Sequence, residues 1–76
     1  MKEETIEIYG QVVEVLPQTH FRVQLINGHI ILCHLSGKIR LHNINVKLND
    51  WVTVQLSMYD LEKGRISFRH KSKPIF

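Results

Sequence analysis

Residues 20–35 read HFRVQLINGHIILCHL, and this stretch decides the fold class. Phe21, Val23 and Leu25 alternate with polar residues, which is the period-two pattern of a half-buried β-strand. The pair Asn27-Gly28 follows, and both residues tolerate the positive φ of a type I′ turn. A second apolar run continues from His29 to Leu35, so the stretch predicts a β-hairpin.

The same alternation outside the hairpin predicts a long first strand from Thr5 to Leu16. Gly10 interrupts this strand, and the adjacent Val12 and Val13 shift its phase. A glycine and a phase change inside one strand indicate a bulge or bend. Small closed barrels need such a bend where one strand serves two sides of the sheet.

Two further strands are predicted, from Trp51 to Met58 and from Arg65 to His70, separated by a turn over residues 60–64. Turn chemistry also marks residues 17–19 and 49–50. The predicted inward positions of these two strands are Val52, Val54, Leu56, Met58, Ile66 and Phe68.

Ser36 to Ile44 lacks clean alternation, and Ser36 is a candidate helix N-cap. We interpret this segment as one or two helical turns between strands three and four. The sequence therefore predicts an all-β protein, a five-stranded OB-fold barrel with a short helical turn between strands 3 and 4. An SH3-like barrel is the alternative, although its helical turn usually precedes the last strand.

The chain has 76 residues, enough for one core and no more. We expect a single domain over residues 1–71 and a flexible tail over residues 72–76. No apolar run approaches the roughly 18 residues of a membrane helix, so no membrane association is expected. The acidic start, Met1-Lys2-Glu3-Glu4, resembles neither a secretion signal nor a transit peptide.

Cys33 is the single cysteine, which excludes an internal disulfide and suits a reducing compartment, the cytoplasm or alternatively the plastid stroma. Its apolar neighbours predict a small core residue rather than a nucleophile. The five histidines form no recognised ligand spacing with it, so no metal is expected. Motifs for catalysis or cofactor binding are lacking, and the chain is predicted not to be an enzyme.

The formal net charge is +3, and the charges are unevenly distributed. Four of the seven acids lie in the first fourteen residues, and none follows Glu62. The residues after Glu62 include five cations: Lys63, Arg65, Arg69, Lys71 and Lys73. This polarity favours a polyanionic partner on one side of the fold, although a merely solvated basic end gives the same pattern.

Arg65 and Arg69 lie four residues apart in a predicted strand, so both are expected on one face, about 13 Å apart. That spacing suits phosphates of a nucleic-acid strand, and guanidinium groups bind phosphate bidentately. Arg22, Lys38, Arg40 and Lys47 add outward charge, although such positions are also charged simply for solubility. The aromatic residues are scattered, so binding through phosphates and shape is favoured over stacking of successive bases.

Three blocks of the chain resemble the bacterial and plastid translation initiation factor 1 family. They are Leu16-Pro17-x-Thr19-x-Phe21-Arg22-Val23-x-Leu25-x-Asn27-Gly28-His29, then His34-x-Ser36-Gly37-Lys38-x-Arg40, then Tyr59-Asp60-Leu61-x-Lys63-Gly64-Arg65-Ile66-x-Phe68-Arg69. The blocks align without gaps, and the resemblance covers about residues 3 to 71.

The resemblance implies an S1-like OB barrel that binds the decoding centre of the small ribosomal subunit, in the aminoacyl site. There the chain would contact 16S rRNA and a ribosomal protein, exclude tRNA, and cooperate as a monomer with initiation factors 2 and 3. The rRNA-binding residues that we expect are Arg40, Arg65, Arg69, Lys38, His29, His34, Arg22, Lys47 and Lys71.

The chain departs from the family pattern at three positions of the helical insert. Many members have a basic residue where Leu41 stands, an arginine where Asn45 stands and often an aromatic where Asn43 stands. Fewer cations should weaken phosphate contacts there unless Lys47 and His42 compensate. Two other functions remain open, a general single-stranded RNA-binding protein or RNA chaperone on the same barrel, and a protein-interaction barrel.

Overall fold

A computed structural model describes residues 5–73 of the protein. Its elements are β1 (Thr5–Leu16), β2 (His20–Leu25), β3 (Ile30–Leu35), α1 (Gly37–Leu41), β4 (Trp51–Ser57) and β5 (Asp60–His70). The strands form a closed barrel in the order β1-β2-β3-β5-β4, in which β4 also pairs with β1. This confirms the predicted all-β, five-stranded OB barrel with a helical insert between the third and fourth strands. The described residues contain no helix long and apolar enough to cross a membrane.

Inward side chains from all five strands fill the barrel. These core residues are Val12, Phe21, Val23, Leu25, Ile31, Cys33, Val52, Val54, Leu56 and Ile66. Ile39 of α1 is buried as well. Each fully buried aliphatic side chain contributes about 1.5–3 kcal/mol, so a small barrel depends on every inward position being filled.

Closure of the barrel depends on the parallel pairing of β3 with β5, from Leu32 opposite Lys63 to Leu35 opposite Ile66. Gly64 lies inside this contact. A Cβ atom added at Gly64 would lie 2.6 Å from Val54 Cγ1 and 2.9 Å from Ile31 Cδ1. The glycine is therefore required by the close approach of β3, β4 and β5.

The first strand serves both sides of the sheet, as predicted, because β1 pairs with β2 and with β4. Gly10 is opposite Leu25 on one side and Val52 on the other. The register with β2 shifts between Val12 and Glu14, so a bulge at Val13 bends the strand. Val12 stays in the core, whereas Val13 and Val15 are exposed.

The hairpin between β2 and β3 exists, but its predicted type I′ turn is wrong. Gly28 has φ +94°, whereas Asn27 is not among the residues with positive φ. The Gly28 N–H donates to Leu25 O, and the Leu25 N–H donates to His29 O. This is a type I turn followed by a left-handed glycine, the common three-residue hairpin loop. The Asn27 side chain accepts from the His29 N–H, which stabilises the turn without a positive φ at Asn27.

Both ends of α1 are capped. The Ser36 hydroxyl accepts from the Ile39 N–H at 3.3 Å, which confirms Ser36 as the N-cap. At the other end Asn43 has φ +52°, its N–H donates to Arg40 O, and the Ile44 N–H donates to Ile39 O. These two bonds form a Schellman motif, which provides hydrogen-bond donors for carbonyls that have no partner within the helix. Asparagine tolerates the left-handed conformation that this position requires.

Three predictions for β4 and β5 are wrong. Residues 60–64 are not a turn, because the turn consists of Met58 and Tyr59 and β5 begins at Asp60. Met58 lies in this turn and is exposed instead of inward. Phe68 is 50% exposed, because the register between β4 and β5 shifts: Val54 is opposite Ile66 but Thr53 is opposite Phe68. Ser67 is the additional residue, and this bulge turns Phe68 outward.

The predicted flexible tail, residues 72–76, falls partly outside the described residues. Within them, β5 ends at His70, and the Lys73 ammonium lies 5.6 Å from the centre of the Trp51 ring. The proposed tail and domain boundary therefore stay predictions.

We predict that Gly64→Ala destabilises the barrel by about 1–3 kcal/mol, because the added methyl overpacks the contact between β3, β4 and β5. Gly37→Ala is the matched control, since a Cβ there meets no atom within 4 Å. Alanine also has the higher helix propensity, so this variant should be neutral or slightly stabilised. Urea unfolding of both variants measures the difference, and equal stability would contradict the packing argument.

We also predict that Cys33 is unreactive in the folded protein. Burial raises the pKa of the Cys33 thiol to about 12, although a hydrogen bond with the Gly64 backbone acts in the opposite direction. The thiolate is the reactive form, so very little of it exists at neutral pH. A chromogenic disulfide reagent should modify Cys33 in denaturant and not in native buffer. Rapid native modification would show that the barrel opens at β3.

Candidate nucleic-acid interface

Barrel closure aligns outward side chains of neighbouring strands in one row. His20 on β2 is opposite His34 on β3, and His34 is opposite Arg65 on β5. Arg65 is in turn opposite Gln55 on β4. Directly opposed residues project from the same face of a sheet, so the two histidines and the arginine are neighbours on the barrel surface.

A second row of outward residues runs beside the first. Arg22 on β2 is opposite Leu32 on β3, and Leu32 is opposite Lys63 on β5. The Arg22 Nε lies 3.0 Å from Glu14 Oε1, and both side chains are more than half exposed. Exposed ion pairs contribute roughly 0–1 kcal/mol, so this one restrains Arg22 only weakly.

The helix adds a further cation to these rows. The pKa of His34 is lowered from its ordinary value of 6.5, first by partial burial and then by the charges of Arg40, Arg65 and His20. Arg40 of α1 therefore lies close enough to β3 and β5 to affect the same histidine. We define the cationic face as His20, Arg22, His34, Arg40, Lys63 and Arg65.

Arg65 is held in place at the centre of this face. Its Nε and Nη2 donate to Gln55 Oε1 at 3.2 and 2.8 Å. A guanidinium has five N–H donors, so donors remain for a phosphate after these two bonds. A groove of about 170 Å³ runs along Arg65, His34 and Lys63, and its volume is below the roughly 300–1,000 Å³ of small-molecule pockets.

Arg69 does not share a face with Arg65, so the prediction of a common outward face is wrong. The bulge at Ser67 reverses the alternation, and Arg69 is opposite the buried Val52. Its Nη1 donates to Asn45 O at 2.7 Å, which attaches the end of β5 to the segment between α1 and β4. Arg69 is therefore half-buried at the end of the barrel, whereas Arg65 is exposed.

The other predicted contact residues surround the cationic face. Lys38 is exposed on α1, and Lys47 is exposed in the segment before β4, where its N–H donates to Asp50 Oδ2. Lys71 is exposed beyond the end of β5. His29 is exposed in the hairpin loop, where it lines a wide groove together with Arg22 and Lys63.

Two members of the cationic face were not among the predicted contact residues. His20 has the same strand phase as Arg22, so the period-two pattern was sufficient to predict its outward position. Lys63 was assigned to a turn, because residues 60–64 include three charged side chains and end in glycine. No local pattern indicates that Lys63 pairs with β3, since this contact joins distant parts of the chain.

The histidines and Cys33 are dispersed over the barrel. His20 and His34 lie on the cationic face, whereas Cys33 is in the core and His70 lies at the end of β5. In the part of the chain that the structure describes, no three His, Cys, Asp or Glu side chains are grouped so that they could hold a metal ion.

We predict that Arg40→Ala and Arg65→Ala each raise the pKa of His34 toward its ordinary value, since each removes a nearby positive charge. Arg69→Ala is the control and should leave this pKa unchanged, because Arg69 is not among the groups that affect His34. NMR titration of the His34 ring measures the pKa in all three variants. An unchanged pKa in both Arg40→Ala and Arg65→Ala would contradict the assembly of the cationic face.

The sign of the effect on stability follows from the same shift. His34 has the lower pKa in the folded state, so the unfolded chain takes up this proton first as the pH falls below about 6.5. Protonation of His34 therefore lowers the free energy of unfolding as the pH falls from about 6.5 through the lower pKa of the folded state. His34→Gln should lose less stability than the wild type over this range in thermal unfolding.

The solved structures similar to this chain include two with TM-scores above 0.7. A solution structure of the translation initiation factor 1 protein from the Wolbachia endosymbiont strain TRS of Brugia malayi matches with 45% sequence identity and a TM-score of 0.75, over 88% of this chain and 79% of that chain. A crystal structure of YjeQ from Thermotoga maritima matches with 28% identity and a TM-score of 0.71. That match covers 90% of this chain but 24% of YjeQ, so it concerns one part of that protein.

A family model described as translation initiation factor 1A / IF-1 matches residues 1–75. The match extends over nearly the whole chain, and the Wolbachia factor supports it independently by structure and by sequence. The chain belongs to the translation initiation factor 1A / IF-1 family.

Proposed function

We propose that this initiation factor binds the small ribosomal subunit at its decoding centre, in the aminoacyl site. It contacts 16S rRNA and an adjacent ribosomal protein, excludes tRNA from the site, and cooperates with initiation factors 2 and 3. It acts as a monomer in the compartment that holds the subunits, the cytoplasm or the plastid stroma. The mechanism is occupancy of a site, and it requires no bond chemistry and no cofactor.

The observation that carries this proposal is the cationic face. Arg40 and Arg65 come from α1 and β5, and together they affect His34 on β3. Like charges that lie on one face repel each other, so they are stabilised when a polyanion lies against them. A rigid barrel that presents fixed cations suits folded RNA, whose phosphates have fixed positions.

Arg69 supports a contribution of the segment between α1 and β4 to the contact. The family resemblance implies an arginine where this chain has Asn45, and here the Arg69 guanidinium lies against Asn45 O. A positive charge is thus retained beside position 45, although it comes from β5. Leu41 itself is uncharged, and its side chain is 80% exposed. We therefore keep Arg69, Lys38, Lys47, Lys71 and His29 as proposed rRNA contacts around the cationic face.

We predict that Arg40→Ala and Arg65→Ala each weaken binding to isolated small subunits by about 10-fold to 100-fold, the value of a lost hydrogen bond between charged groups. With about five phosphate contacts, the wild-type slope of log affinity against log salt should lie near −3.5 to −4.5. Each substitution should make this slope shallower by about one. Affinity measured by fluorescence anisotropy over a salt series gives both quantities.

Glu14→Gln is the matched control and should change the affinity in the opposite direction, because it removes the carboxylate that binds Arg22. This variant should bind more tightly than the wild type. Chemical footprinting on the subunit should show protection of decoding-site nucleotides. Equal affinity for subunits and for arbitrary single strands would favour the general RNA-binding alternative, and unchanged affinity of both arginine variants would contradict the proposed contacts.

A further inference from the structure

A second surface feature lies beside the cationic face, on the outside of β1, β4 and β5. Three rings meet there: Tyr9 and His70 have centroids 5.3 Å apart at 71°, and Phe68 and His70 have centroids 4.8 Å apart at 55°. Tyr9 is opposite Thr53, and Thr53 is opposite Phe68. We define the aromatic cluster as Tyr9, Phe68 and His70.

Polar contacts hold this cluster in a fixed arrangement. The His70 Nε2 lies 2.7 Å from Thr53 Oγ1, which fixes the imidazole between the other two rings. The Ser67 hydroxyl donates to Thr53 O at 3.3 Å, so the bulge residue is itself bonded to β4. Phe68 is 50% exposed, although a phenylalanine of a small barrel is usually buried in its core. A rigid and exposed aromatic ring is the element that proteins use to stack on unpaired bases.

The aromatic cluster is continuous with the cationic face. Arg65 and Phe68 belong to neighbouring outward rows, because Gln55 and Thr53 are their respective partners on β4. Lys71 is exposed just beyond His70. Glu7 lies in the row next to that of Tyr9. Its carboxylate therefore repels a phosphate that lies over β1. A polyanion that crosses this surface must therefore approach from β5.

We propose that an unpaired base of a single-stranded RNA stacks on Phe68 while the adjacent phosphates lie against Arg65. The phosphate backbone follows the cationic face and reaches the aromatic cluster at the bulge in β5. This inference rests on RNA binding by the cationic face, which is part of the proposed function, and it adds a base contact to a phosphate contact. It does not require the ribosome, because any single strand offers a phosphate and a base together.

The charges favour RNA over a protein as the occupant. A protein that covered Phe68 together with Arg65 would have to supply acidic side chains, because burial of unpaired cations opposes binding. A nucleotide strand neutralises these cations and offers a flat ring for Phe68 at the same time. Stacking is also tolerant of base identity, so a simple homopolymer is an adequate probe.

The test uses the full chain and a short, fluorescently labelled oligoadenylate at low salt. Phe68→Leu keeps an apolar side chain but removes the ring, and it should weaken binding about 5-fold to 100-fold. Phe68→Tyr keeps the ring and should bind like the wild type. The salt slope should be unchanged in Phe68→Leu and shallower in Arg65→Ala, because stacking releases no counterions whereas phosphate contacts do. Tyr59→Leu is the matched control, since Tyr59 is 90% exposed and lies outside the cluster.

Three outcomes would overturn the inference: no binding of oligoadenylate by the wild type, equal binding by Phe68→Leu, or equal weakening by Phe68→Leu and Phe68→Tyr. Thermal unfolding of each variant verifies that the barrel is intact. Loss of small-subunit binding together with retained, Phe68-dependent oligoadenylate binding would reject the ribosomal role and keep this inference.

Discussion

The structure depends on the parallel contact between β3 and β5. This pairing closes the barrel, and it is made possible by Gly64, where even a methyl group would overlap Val54 and Ile31. The same pairing sets His34 against Arg65 on the outer surface. Core packing inside and charge assembly outside are therefore two results of one register. A slip of one residue would expose Ile66 and turn Arg65 toward the core.

The bulge at Ser67 has a comparable influence on the second half of the surface. Without it, regular alternation would bury Phe68 and leave Arg69 outward beside Arg65. With it, Phe68 joins His70 and Tyr9 outside, and Arg69 bonds to Asn45 O. One additional residue thus exchanges an arginine for an aromatic ring on the outer face of β5.

The like charges of the cationic face are held together by the buried core beneath them, since Val54 and Ile66 fix the strands that carry Gln55 and Arg65.

Most of the fold could be predicted from local patterns. Alternation located β2 and the inward Val52, Val54 and Leu56 of β4, and Gly10 with the neighbouring valines indicated the bend in β1. The Ser36 cap marked the helix. The errors in β4 and β5 share one cause, since each concerns a place where the pairing of the two strands decides the conformation. Nothing near Ser67 in the sequence indicates the bulge, because it arises from the mismatch between the registers of β4 and β5.

The candidate site was predicted in part for the same reason. Arg22, His34, Arg40 and Arg65 could be assigned outward positions from periodicity and family resemblance, but their mutual distances could not. Lys63 was missed because its strand exists only through pairing with β3. Arg69 was misplaced because its phase depends on the bulge. Local sequence thus specifies which side chains are charged and exposed, whereas the tertiary register determines which of them form one surface.

Leu32 and Lys63 are paired in space but far apart in the sequence, which has a consequence for the newly made chain. Contacts between distant residues form slowly, because a long loop must close before they stabilise anything. A nascent chain that has extended only through α1 carries Arg22, His34 and Arg40 but has no β5 against which to order them. The proposed RNA-binding surface therefore forms only when β5 pairs with β3 and the barrel closes.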